Sequence, residues 1–161
     1  MCLLFCLAFV LNANTIYAGE VTGNVVLLQK NASSGAWEHA ASNEGVVVYV
    51  TGFEEKERKS SNLYELKQQN KAFSPRVLAI TVGDDVMFSN LDDIYHNVYS
   101  TSDAKPFDLK FYKAEQVPTV TFDVPGRVDV FCAIHTKMHC IVLVLQNPYF
   151  VQVDANQTYT L

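Results

Sequence analysis

Residues 127–146 read RVDVFCAIHTKMHCIVLVLQ. Two runs rich in valine, isoleucine and leucine, RVDVFCAI (127–134) and HCIVLVLQ (139–146), flank a short connection, as two neighbouring strands would. Cys132, His135 and Met138 follow one another at intervals of three, with His139 and Cys140 behind them. The chain has only four histidines and four cysteines, and half of each fall in this stretch. Fold and chemistry are therefore read from the same place.

Working outward, strand signals continue in both directions. RVLAITV (76–82), DVMFSN (85–90), HNVYS (96–100) and TVTFDV (119–124) are short and rich in β-branched or aromatic residues. Gly83-Asp84-Asp85, Asn90-Leu91-Asp92-Asp93 and Pro125-Gly126 supply turns between them. Alternation puts Val120, Phe122 and Val124 on one face and Thr119, Thr121 and Asp123 on the other. Earlier in the chain, VTGNVVLL (21–28) and EGVVVYVTG (44–52) read as strands, joined by the polar connection QKNASSGAWEHAASN, where Trp37 and His39 face solvent. EEKERKSSNLYELKQQNK (54–71) lacks apolar periodicity and reads as a polar surface insertion with a helical turn around Leu63 to Leu66. PYFVQVDANQTYTL (148–161) begins a further strand-turn-strand pattern. Many short strands at close spacing predict an all-β, antiparallel Greek-key β-sandwich with a polar insertion between early strands.

At 161 residues and 49% hydrophobic content the chain suits one domain, placed at 19–161. A net charge of −5 argues against nucleic acid as the partner, because phosphate binding needs concentrated Lys and Arg. Residues 1–18, MCLLFCLAFVLNANTIYA, have the layout of a secretory signal peptide: an apolar run, a polar step and Tyr17-Ala18 before Gly19. Export to the periplasm or beyond follows, and Cys2 and Cys6 leave with the signal. No later stretch is long enough to span a bilayer. Cys132 and Cys140 then remain, too few for a disulfide framework. A bridge between these two is the bland alternative to a metal site.

A thiolate, an imidazole and a thioether on one connection suit copper far better than calcium or magnesium. A trigonal His₂Cys set with a weak axial Met needs a second imidazole from elsewhere in the fold. His96 is the candidate, since it opens HNVYS just after the NLDDIY turn. Other readings stand beside these. Cys132 could be a small buried hydrophobe, and Met138 core filler. His139 should face opposite Met138 on a strand, yet could replace it as axial ligand. Cys140 reads as an interior free thiol, Asp92 and Asp93 as turn formers, and Lys137 as a cation close to the site that could steer an acidic partner, against the chain's overall negative sign.

The pattern F-x-N-x-x-x-x-x-H-N-V followed by C-x-x-H-x-x-M resembles the cupredoxins, the small blue-copper electron-transfer proteins. Phe88-Ser89-Asn90 through His96-Asn97-Val98 matches the segment of the first histidine. Cys132 through Met138 matches the ligand loop, with the short spacing of amicyanin- and pseudoazurin-like members. Phe73-Ser74-Pro75 and the Val82-Gly83 turn resemble the strand that precedes the site in the family, and Phe107-Asp108-Leu109 with Pro125-Gly126 is similar to plastocyanin-like proteins found near methylamine-utilisation genes. The match is best over residues 72–147.

This resemblance implies one type 1 copper ion held by His96, Cys132 and His135, with Met138 axial. It implies that His135 is the electron port and that Asn97 ties the two ligand segments together by hydrogen bonds. The residue after the cysteine is often Ser or Thr in the family; here Ala133 leaves that bracing to backbone groups. The implied function is a monomeric, exported one-electron carrier without enzymatic activity, serving redox partner proteins. Copper storage or delivery, and a mononuclear copper enzyme with an open coordination position, are the alternatives.

Overall fold

A computed structural model describes residues 20–31, 33–40, 45–52, 61–153 and 158–161. The signal-peptide reading of residues 1–18 lies outside them, as do residues 54–60 of the expected insertion. Among the described residues the early strands are β1 (Thr22–Asn24), β2 (Leu28–Lys30), β3 (Trp37–His39) and β4 (Val47–Tyr49). Next come β5 (Leu63–Gln69), β6 (Ala72–Ser74), β7 (Val77–Thr81) and β8 (Asp84–Asn90). The chain continues through β9 (His96–Ser100), β10 (Phe107–Tyr112), β11 (Thr119–Phe122), β12 (Gly126–Cys132) and β13 (His139–Leu145). It finishes with β14 (Phe150–Gln152) and β15 (Thr158–Thr160). No helix among the described residues is long and apolar enough to cross a membrane.

The chain divides into two compact units, one spanning Val50–Phe150 and the other the residues up to Tyr49 and from Val151 onward. Among the described residues the second holds the two-stranded sheets β1 with β15 and β2 with β3.

The Val50–Phe150 unit is a two-sheet sandwich. One sheet has the order β10-β9-β12-β13-β7 and the other β11-β8-β5-β6. Inward-facing side chains alternate along each strand, so Leu66, Val86, Phe88, Phe122, Val128 and Val130 are all fully buried. Phe107 joins the sheets, with its ring 5.6 Å from Phe88 and 6.3 Å, edge-on, from Phe122. Pairing is mixed rather than wholly antiparallel. β5 runs parallel to β8 and β7 parallel to β13. Each of these pairs is reached by a crossover through intervening strands, which parallel neighbours require.

The segment expected as an insertion with a helical turn is corrected by β5. LYELKQQ is an inner strand, with β8 on one side and β6 on the other. Its polar composition hides the alternation because an inward position is held by an amide. Gln68 is fully buried and donates from Nε2 to the Tyr112 hydroxyl (2.6 Å) and the Ser89 carbonyl (3.3 Å). The strand β10 was not legible either. Its register with β9 shifts between Asp108 and Phe111, and Lys110 takes a positive φ of 62°. Val124, expected to share a face with Val120 and Phe122, is half exposed because β11 ends at Phe122.

Candidate metal centre

Two adjacent strands bring the first two donors together. β9 pairs antiparallel with β12, placing Val98 opposite Cys132. His96, at the start of β9, and Cys132, at the end of β12, therefore meet at one pole of the sandwich, and both are buried. The loop from Cys132 to Met138 is folded on itself. Met138 N donates to the His135 carbonyl (2.8 Å) and Cys132 N to the Met138 carbonyl (3.4 Å). That turn carries the His135 ring over the Cys132 sulfur.

Three donor atoms converge as a result. Cys132 Sγ lies 3.7 Å from His96 Nδ1 and 3.6 Å from His135 Nδ1, and the two Nδ1 atoms are 3.1 Å apart. The imidazole rings are tilted at 58° with centroids 4.8 Å apart. Among the described residues, this is the group of three donors positioned to hold a metal ion. A soft thiolate with two imidazoles suits copper. Burial lowers the His135 pKa first, the charges of His96 and Lys71 lower it further, and Asp92 opposes them. The net effect leaves the ring neutral with a lone pair available at neutral pH.

Met138 is 1% exposed and closes the buried end of the same loop. His139 points elsewhere. Its Nε2 lies 2.7 Å from Asp129 Oδ1 and its ring stacks on Phe131, centroids 4.8 Å apart. Cys132 and Cys140 are both free thiols. Burial pushes the Cys140 thiol well up, so it stays protonated and inert among apolar neighbours.

The link between the two ligand segments is a main-chain one. Ala133 N donates to the Asn97 carbonyl at 3.0 Å, while the Asn97 side chain turns to β10 and donates to Asp108 Oδ1 at 2.6 Å. Ala133 has no side-chain oxygen to draw the Asn97 amide toward the loop.

Asp92 is the residue that sequence reading missed, having been taken for a turn former. Its Oδ2 lies 3.0 Å from His96 Nε2, on the far side of the ring from the sulfur. The same carboxylate accepts from Asn70 N (2.7 Å) and Lys71 N (2.9 Å) in the turn between β5 and β6. Burial alone would raise the Asp92 carboxyl, but these two backbone donors and His96 outweigh it and hold it ionised. An acid four residues before a ligand histidine was the available signal. The donors from residues 70 and 71 were not, because that segment read as an insertion.

The model of the copper binding proteins of the plastocyanin/azurin family matches residues 61–145. Among curated proteins none matches the chain. A copper-containing nitrite reductase (NirK) from Thermus scotoductus SA-01 has a similar fold, with a TM-score of 0.50 and 22% identity over 62% of this chain. The chain spans 26% of that protein's length. A purple cupredoxin from Nitrosopumilus maritimus is similar at a TM-score of 0.46 and 21% identity, covering 51% of this chain and 99% of its own. An oxidised methionine-to-leucine variant of amicyanin gives 0.48 and 24%, covering 51% and 81%.

Proposed function

Because the chain belongs to the copper-binding plastocyanin/azurin family, we propose that this copper protein is a one-electron carrier working outside the cytoplasm. One observation carries the reading: His96 Nδ1, Cys132 Sγ and His135 Nδ1 converge at one buried pole, drawn from two segments 36 residues apart. In this reading those three side chains would hold the ion, and the Met138 thioether, buried at the end of the same loop, would add a weak fourth donor. His139, engaged by Asp129, is left out of the set.

Copper supplies reversible one-electron exchange between Cu(I) and Cu(II). The chain's part is to make that exchange cheap. Cu(II) favours tetragonal nitrogen and oxygen surroundings, whereas Cu(I) accepts few, soft ligands. A set intermediate between the two, fixed by strand pairing, moves little with either charge. β9 and β12 fix His96 and Cys132, and the Ala133–Asn97 bond fixes the loop that carries His135. Asp92 orients the His96 ring from behind and keeps Nδ1 turned inward. Burial of Cys132 and Met138 keeps water from the sulfur. His135 is partly exposed and borders an open groove, which makes its edge the route for the electron. Export is the part of the proposal that rests on sequence pattern alone, the apolar run of residues 1–11 followed by a polar step.

Spectroelectrochemical titration of the copper-loaded protein tests the function. A carrier gives a reversible transition of one electron per chain with full recovery of the oxidised spectrum. A protein for copper delivery instead loses its metal to a moderate chelator on reduction, and that loss would replace the carrier reading.

A further inference from the structure

Around His135 the surface is not of the sign that the whole chain carries. In the Val50–Phe150 unit, four described bases pair with carboxylates: Lys67 with Glu65, Lys105 with Asp123, Lys110 with Asp108 and Arg127 with Asp129. Four others, Lys71, Arg76, Lys113 and Lys137, are exposed and form no ion pair with a described residue. Arg76 stands at the start of β7, and the other three gather near the metal pole.

Lys71 and Lys113 both line the groove of about 470 Å³ that His135 borders. The Lys113 ammonium sits 4.9 Å from the centre of the Tyr95 ring, which fixes it over that groove. Lys137 is exposed two residues further along the ligand loop. Asp93 is the opposing exposed charge on the groove, since the Asp92 carboxylate is taken up by His96 and two backbone donors. Between the charges lie exposed apolar groups: Ile94 (36% exposed), Tyr95 (53%) and Ile134 (47%).

We propose that this groove is a docking surface for the acidic face of a redox partner protein. The proposal rests on the carrier reading of the same site and adds the sign of the partner. An apolar floor flanked by Lys71 and Lys113, which form no ion pair with a described residue, excludes water at the contact while steering an opposite charge to it. The argument is local because screening limits each lysine's reach to about 8–10 Å at ordinary salt. A partner approaching His135 therefore meets Lys71, Lys113 and Lys137 rather than the chain's net −5.

Hexacyanocobaltate(III), a redox-inert trianion, is the first probe, titrated into the reduced, diamagnetic Cu(I) protein and followed by amide NMR. Shifts are expected at Lys71, Ile94, Tyr95, Lys113 and Ile134, and are lost in Lys71→Glu/Lys113→Glu. Shifts confined to other bases, or none, overturn the proposal. Oxidation of the Cu(I) protein by hexacyanoferrate(III) supplies the second reading. Attraction at the groove makes the rate fall as salt rises, whereas control by the net charge makes it rise. The double variant should react about tenfold more slowly at low salt. A rate that rises with salt and ignores the double substitution overturns the proposal. The visible spectrum separates the two levels. A variant with the parent's copper band but a changed rate confirms the surface, and a parent without any copper band defeats the carrier reading itself.

Discussion

Asp92 Oδ2 lies 3.0 Å from His96 Nε2, and the same carboxylate accepts the backbone N–H groups of Asn70 and Lys71. One acid thus ties a turn of the other sheet to a copper-site histidine. A neutral acceptor at this position orients the ring less firmly and stabilises the more highly charged oxidation state less. Asp92→Asn is expected to weaken copper binding by about 10–100-fold and to raise the reduction potential. Competition against a chromophoric chelator and a redox titration measure the two effects. If both stay at the parent's values, the bond does not act on the metal.

Leu66 is fully buried in β5, in the segment whose composition reads as surface. Leu66→Ala should cost about 2–5 kcal/mol, as truncations in a packed core do. A surface helical turn would lose no more than about 0.5 kcal/mol. Urea denaturation of the two proteins distinguishes these positions of the segment.

The reach of the sequence follows from which contacts are local. Cys132 and His135 stand three residues apart on one connection, so two of the three converging donors were legible from spacing alone. His96 was reachable because the strand it opens ends at the same pole. Asp92 was not, since its meaning depends on Asn70 and Lys71 arriving from β5 and β6. β5 itself stayed hidden because its inward Gln68 looks like a surface residue until Tyr112 and Ser89 are seen to accept from it. β10 was masked by the bulge at Asp108 to Phe111, which breaks the period-two pattern. The sandwich remained legible because β7, β8, β12 and β13 keep their alternation or apolar runs.

Met138 and His139 are neighbours with opposite expectations. Met138→Leu should keep an intense visible band but raise the potential, because it removes a thioether donor that favours the oxidised ion over an inert side chain. His139→Ala should leave both spectrum and potential at the parent's values, as its ring is held by Asp129 and Phe131. A spectral change in the His139 variant would return that residue to the ligand set.

Asp108 gives a pH dependence with a definite sign. The Lys110 ammonium first, then Lys110 N and the Asn97 amide, hold its carboxyl down at about 2 from an ordinary 3.8. A depressed folded pKa means the contribution is complete above the unfolded value and is lost as pH falls through the folded one. The stability difference between parent and Asp108→Asn should be constant above about pH 5 and shrink between about pH 4 and pH 2. Solvent screening keeps it small. Denaturation midpoints across that range measure it, and a difference that grows toward low pH would contradict the assignment.

The optical and electron paramagnetic resonance spectra of the Cu(II) protein, taken together, test the metal centre most directly. Ligation by Cys132, His96 and His135 predicts an intense visible thiolate-to-copper band and a compressed copper hyperfine splitting, both abolished by Cys132→Ser. Weak ligand-field bands with the wide splitting of a tetragonal nitrogen and oxygen site, unchanged by that substitution, would contradict it.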